Sequence, residues 1–354
     1  MAARRRASVV GIGLIGGSIG MALRDRGWTV TGEDRDPARV DKALEMGVID
    51  AAGLDPQADL TVVATPVKAV PGEVKRALDQ TQGLVTDVGS VKASIVEAVG
   101  DPRFVGGHPM AGSEREGVEG ADPNLFRGAV WVLTPTPGTD AAAFAAVRSV
   151  AVQLGAEVIS LAPDQHDALV AVVSHVPHLT AATLMAVADQ RSVDHRALLR
   201  LAAGGFRDMT RIASGHPGIW PDIVSENRPA ILGALDQLIV GLTRMRGIVA
   251  DADHDGLVEI LAHARAARMN LPVRFGRPAQ LMELLVPVPD QPGVIAQVAN
   301  LATELDINIL DLEIRHSAEG PQGVLHLLVE AERAEELRAA LRARGFPSSM
   351  RSLV

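Results

Sequence analysis

The chain has no cysteine among its 354 residues. That excludes a disulfide, a thiolate nucleophile and any cysteine-based zinc site, and it suits a reducing compartment, so the expected location is the cytoplasm. Tyrosine is also absent and aromatic residues make up only 3%. Phenylalanine and tryptophan are scarce too, so this reads as compositional bias. Positive charge is not in excess: the net charge of −9 argues against a nucleic-acid partner held by phosphate neutralisation. No apolar run reaches the length needed to span a bilayer, so a membrane is not an expected partner either. One stretch imitates an export signal, Ala7 to Leu23 behind Arg4, Arg5 and Arg6. It carries five glycines and no small-residue cleavage site follows, which argues against export.

What is present alternates. Ser8–Ile12 predicts a buried strand and Gly16–Arg26 a helix stopped by Gly27. Strand signals recur at 28–32, 60–64, 84–87, 130–133 and 157–160, with helices predicted at 37–45, 67–78 and 140–154. Such alternation predicts a parallel sheet covered by helices. After Pro163 the pattern becomes helical, with segments at 166–187, 197–203, 219–247 and 253–268 and one long helix over 225–245. Long apolar helices in a small domain bury their surface against a second copy, which predicts a homodimer. Residues 271–278, with two prolines and a glycine, read as a linker. Beyond them β-α-β-β-α-β signals predict a ferredoxin-like module. The expected fold is thus α/β in three parts. Residues 1–163 form a dinucleotide-binding domain, 164–272 a helical substrate and dimerisation domain, and 279–354 the small C-terminal module.

Gly11-Ile12-Gly13-Leu14-Ile15-Gly16 is G-x-G-x-x-G between the first strand and the first helix. The first glycine permits a tight turn, the second lets backbone approach a pyrophosphate, and the third allows close helix packing. Asp34 follows at the end of the second strand, where a carboxylate can hydrogen-bond ribose hydroxyls. It would repel a 2′-phosphate, which favours NAD over NADP, although Arg35 and Arg39 stand nearby. Thr65 and Pro66, after a later strand, complete the expected cofactor residues.

In Gly106-Gly107-His108-Pro109-Met110-Ala111-Gly112-Ser113-Glu114 a histidine sits between glycines and a proline. This predicts an irregular loop built around an imidazole, the side chain whose ordinary pKa suits proton transfer at neutrality. Three more segments stand out: Asp87–Lys92 after a strand, Ser174–His178 opening a helix, and Gly204–Ser214 leading to Pro217–Asp222. His175 and His178 are three apart, but Pro177 and the lack of nearby acidic ligands argue against a metal, and none is expected. His254, His263 and His326 read as surface or satisfied histidines.

In order and spacing these motifs resemble the prephenate dehydrogenase family of tyrosine biosynthesis, over residues 7 to 270. The resemblance implies NAD-dependent oxidative decarboxylation of prephenate to 4-hydroxyphenylpyruvate. It makes His108 the catalytic base on the ring hydroxyl, with Ser90 hydrogen-bonded to it. Arg211 becomes the substrate carboxylate anchor, and Lys92 and Arg207 further cations near the substrate. Glu114 becomes a mobile gate or ion-pair partner, His178 a contact to the substrate side chain and Trp220 the floor of the pocket. Trp220 and Arg211 also have plain readings, as core filler and as a neutraliser of Asp208 or Asp222. The C-terminal module, with Asp290–Gly293 and Asp306–Ile309, resembles an ACT domain, which implies tyrosine as effector; support of the dimer alone is the other reading. Alternatives are an arogenate dehydrogenase, another NAD(P) enzyme working through a lysine base or an imine pocket, and a non-catalytic NAD and amino-acid sensor.

Overall fold

The computed structural model describes residues 4–113, 115–193, 195, 197–269, 281–316 and 322–352. They form two compact units, Met1–Leu242 and Thr243–Val354.

The first unit is built on an eight-stranded sheet. Its strands are β1 (Arg6–Val10), β2 (Thr29–Glu33), β3 (Ala51–Ala52), β4 (Leu60–Val63), β5 (Leu84–Asp87), β6 (Phe104–Pro109), β7 (Val130–Thr134) and β8 (Glu157–Ser160), in the order β3-β2-β1-β4-β5-β6-β7-β8. The pairings from β3 to β6 are parallel, and β7 turns antiparallel against β6. The order reverses between β1 and β4, and the carboxyl ends of strands at such a switch point are where ligands bind. The near-continuous burial of β1 and β4 fits strands covered on both faces.

Helices α1 (Leu14–Arg24), α2 (Pro37–Glu45), α3 (Val70–Gln80), α4 (Ala93–Val99) and α5 (Ala141–Gln153) connect these strands. One apolar cluster joins Val9, Ile19, Leu23, Val30, Phe126, Leu133 and Val147, and another joins Val10, Val63, Val70, Val74, Val85, Ile95 and Phe104. Asp36 caps α2 through Ala38 N, and Asp140 caps α5 through Ala143 N.

His108 does not lie in an irregular loop. Gly106, Gly107, His108 and Pro109 belong to β6 and pair with Thr134 to Trp131 of β7. The glycines serve close strand approach: a Cβ on Gly107 would stand 2.8 Å from the Asp87 carbonyl oxygen, and one on Gly106 2.5 Å from Thr134 Oγ1.

A helical segment continues the first unit through α6 (Pro163–Val170), a π-helical turn (Ala171–His175), α7 (Val176–Ser192), α8 (Gly204–Thr210), α9 (Trp220–Glu226) and the start of α10 (Arg228–Ala250). By length and composition the helical run Pro163–Ser192 is enough to cross a bilayer, contrary to the expectation that no segment approached that span. The reason lies in its make-up: it is interrupted by polar residues, and His166, Asp167 and His175 are buried in a polar cluster of the protein. Ile223 of α9 is buried in the second sheet cluster and Lys68 Nζ lies 3.0 Å from Asp222, so α9 is fastened to the sheet.

The second unit holds the end of α10, α11 (His254–Met269) and a β-α-β-β-α-β module. Its elements are β9 (Leu281–Pro289), α12 (Val294–Glu304), β10 (Asp311–His316), β11 (Gln322–Glu330), α13 (Ala331–Ala343) and β12 (Ser349–Ser352). The antiparallel sheet runs β10-β11-β9-β12, and Leu284, Val286, Leu325 and Leu327 bury against Val298, Leu301, Leu337 and Leu341 of its helices.

Candidate active site

The glycine turn after β1 is shaped by backbone contacts. Gly11 has φ +92, its N–H donates to Glu33 O at 2.8 Å, and a Cβ there would come within 2.6 Å of the Ala64 carbonyl oxygen. A Cβ on Gly16 would collide with the Gly11 carbonyl oxygen. Gly13 differs: among the described residues no atom lies within 4 Å of its would-be Cβ, and no side chain caps α1, which begins beside it at Leu14 and Ile15. The result is an open cradle at a helix N-terminus whose free N–H groups suit phosphate oxygens. Asp34 borders it, accepting from Ile12 N at 2.8 Å and from Asp36 N at 3.0 Å, with Arg39 Nη1 at 3.9 Å. Thr65 and Pro66 follow β4, across the switch point from the cradle, and the Thr65 hydroxyl is buried without a hydrogen-bond partner among the described residues. These residues fit a dinucleotide.

At the end of β5 and β6 lies a buried polar cluster. His108 is 9% exposed and its Nδ1 stands 2.9 Å from His166 Nε2. His166 Nδ1 is 2.7 Å from Asp167 Oδ1, and Asp167 also accepts from Lys92 N at 2.8 Å and Ala93 N at 2.9 Å. A carboxylate acceptor fixes the tautomers: His166 donates from Nδ1 and accepts at Nε2, so His108 donates from Nδ1. Its Nε2 lone pair is left for a proton. Burial, followed by the facing His166, Lys92 and His175, pushes the His108 pKa well below the ordinary imidazole value.

Ser90 was expected to hydrogen-bond His108, but the described partner of the ring is His166, and Ser90 is half-buried after β5. Lys92 has no exposed surface, and its ammonium is ion-paired with Asp87. Burial lowers the Lys92 pKa, opposed by the charge of Asp87.

Farther along, Asn227 Nδ2 donates to Asp167 O at 2.8 Å and lies 3.2 Å from His175 Nδ1. Burial holds the His175 pKa down to about 4. The His175 ring meets Trp220 edge-on, and His178 stacks on Trp220 with centroids 3.8 Å apart. Trp220 also packs against the sheet cluster, so its plain role as packing residue and its place in the site coincide. Arg207 and Arg211 are exposed; Arg207 Nε donates to Ala202 O at 3.1 Å, and Arg211 opens a 3₁₀ turn (Arg211–Ser214) packed against α7. A Cβ on Gly215, after that turn, would lie 3.6 Å from His178 Cε1. Glu114 lies outside the described residues.

Sequence reasoning missed His166, Asp167 and Asn227. The signal available was a His-Asp pair at the start of an otherwise apolar helix.

A dinucleotide cradle at the switch point of a parallel sheet, beside a buried neutral imidazole, defines an NAD-dependent oxidoreductase of the Rossmann type. Residues 19–160 match the family described as prephenate dehydrogenase, nucleotide-binding domain, and residues 162–263 match prephenate dehydrogenase, dimerization domain. The chain is 34% identical over 341 residues to prephenate dehydrogenase of Bacillus subtilis strain 168, covering 92% of each chain. It is similar to the crystal structure of prephenate dehydrogenase from A. aeolicus in complex with hydroxyphenyl propionate and NAD+ (TM-score 0.72, 32% identity, 76% of this chain and 99% of that one). It is also similar to Synechocystis arogenate dehydrogenase (TM-score 0.67, 32% identity, 74% of this chain and 98% of that one). The chain belongs to the prephenate dehydrogenase family.

Proposed function

We propose that the protein oxidises and decarboxylates prephenate to 4-hydroxyphenylpyruvate with NAD+ as hydride acceptor. The observation that carries this reading is the line His108–His166–Asp167, which starts at the carboxyl end of β6 in the same sheet whose β1 leads into the glycine cradle. Bound NAD+ supplies the hydride acceptor. Gly11, Gly13, Gly16 and Asp34 would hold it, Gly13 by leaving space for the pyrophosphate and Asp34 by accepting from the ribose.

His108 takes the proton of the ring hydroxyl on Nε2 as the C4 hydride departs. The ring C–CO2 bond then breaks, its electron pair aromatises the ring onto the oxygen, and His108 returns the proton to that phenolate. His166 and Asp167 keep the imidazole in the tautomer that can accept. Arg211 anchors the substrate carboxylate by a two-pronged guanidinium contact, with Arg207 adding charge. The His178–Trp220 stack lines the substrate side chain, Ser90 assists His108 from the loop after β5, and Glu114 serves as gate or ion-pair partner.

The C-terminal β-α-β-β-α-β module acts as an ACT domain that binds tyrosine, with the turn at Gly293 (φ +91) and Asn308 bordering the pocket. The helical domain forms a homodimer, supported by the family description of that region and by exposed apolar side chains such as Val240 and Leu242. The working location is the cytoplasm.

Arogenate is the second reading, favoured by the similarity to the Synechocystis enzyme. Purified protein with NAD+ and each substrate in turn, followed by NADH absorbance, tests both. NADH with prephenate and little with arogenate is expected; NADH with arogenate alone would overturn the prephenate assignment. Added tyrosine is expected to lower the rate, and an unchanged rate and substrate affinity would remove the feedback role.

A further inference from the structure

Lys92 is a charged side chain with no exposed surface. Its ammonium ends on Asp87, whose carboxylate also accepts from Gly89 N at 2.8 Å and from Gly107 N at 3.1 Å. Gly107 precedes His108 in β6, and Gly89 precedes Ser90. One carboxylate therefore ties the strand bearing the base to the loop beside it. The backbone of Lys92 is held in turn by Asp167, the residue behind His166. A lysine enclosed in this way has no surface to offer a substrate.

We infer that Lys92 is a positioning residue acting through Asp87 and His108, and that its buried charge sets the acidity of the catalytic imidazole rather than binding the substrate carboxylates. The inference rests on the reading of His108 as the base. The groups facing His108 are His166 and Asp167 of α6, His175 of the π-helical turn, Lys92 before α4 and Asp87 at the end of β5. Two carboxylates stand against one ammonium, so while the three imidazoles are neutral the cluster carries one excess negative charge. When His108 takes the substrate proton, that excess is cancelled. Lys92 keeps the excess at one charge; without it the protonated ring would be favoured and the acid limb would move to higher pH.

Two variants and a control decide this, each followed by the pH dependence of kcat/KM and by KM for prephenate. In Lys92→Met the acid limb is expected to move to higher pH by about one unit, the scale of a nearby charge. KM should stay within about twofold, an energy change well under that of a lost ion pair. In the double variant Lys92→Met with Asp87→Asn both members of the pair lose charge, so the limb is expected back at the parent position. A limb unmoved in Lys92→Met overturns the inference. So does a rise in KM of about tenfold or more in either variant, the signature of a substrate cation. Should the single variant not fold, KM of the double variant still separates the two roles. His108→Asn is the control: full turnover there would sink the base assignment itself, whatever Lys92 does.

Discussion

An imidazole works as a base only while it carries no proton, and His108 is held in that state by burial, by the facing imidazoles and by the Lys92 cation. The active form is the neutral ring and its pKa is depressed. As pH falls through 6.5, kcat/KM should therefore stay flat and then drop below that value. His108→Asn is expected to lower kcat by about 10²- to 10⁴-fold with little change in KM, measured by steady-state NADH formation. The same depression links pH to stability. Above 6.5 the ring is neutral in folded and unfolded chains alike; below it the unfolded chain binds protons that native His108 and His175 refuse. The contribution of His175 is thus full above 6.5 and lost as pH falls toward about 4, so melting temperature should decline across that window. His108 was legible in the sequence because glycine and proline around a histidine are unusual. His166 was not, because a lone histidine at the head of an apolar helix looks like a satisfied core residue, and only the fold brings it to His108.

At the level of elements, the glycine turn separates two functions that the motif alone merges. An alanine at position 16 would drive its methyl against the Gly11 carbonyl, whereas one at position 13 meets no atom of the described residues within 4 Å. Gly16→Ala should therefore lose about 1–3 kcal/mol of stability, read as a lower melting temperature. Gly13→Ala should melt like the parent yet raise the KM for NAD+ by about tenfold, because its methyl occupies space left for the pyrophosphate. Equal melting of the two variants would mean the cradle is not shaped as described. The periodic elements were readable in advance: β1, α1, β2 and β4 follow directly from apolar runs and glycine stops. Two were not. β3 is two residues long, too short to show a period, and β6 hides because its glycines look like loop when they are there to admit β5 and β7.

For the whole molecule, sequence composition changes at Pro163, but contact does not end there. His166 reaches back to His108, Ile223 enters the sheet core and Lys68 meets Asp222, so the first unit runs on to Leu242. Such joins are set by side chains distant in sequence, which no local pattern records. What the helical segment leaves uncovered is also informative. Along α10, Leu232, Val240 and Leu242 are 50%, 70% and 57% exposed, a density of large apolar groups that a monomer in water has no reason to keep on one helix. If a second copy covers this face, a charge placed in it must be buried without a partner or the interface must open. Val240→Glu is therefore expected to weaken the dimer by about tenfold or more, with the parent sedimenting as a dimer and the variant shifting toward monomer at the same concentration. Because Val240 makes little contact within its own chain, the folded monomer should keep its melting cooperativity. A parent that sediments as a monomer at micromolar concentration would remove the dimer itself, and a variant that stays as dimeric as the parent would place the subunit contact on some other face.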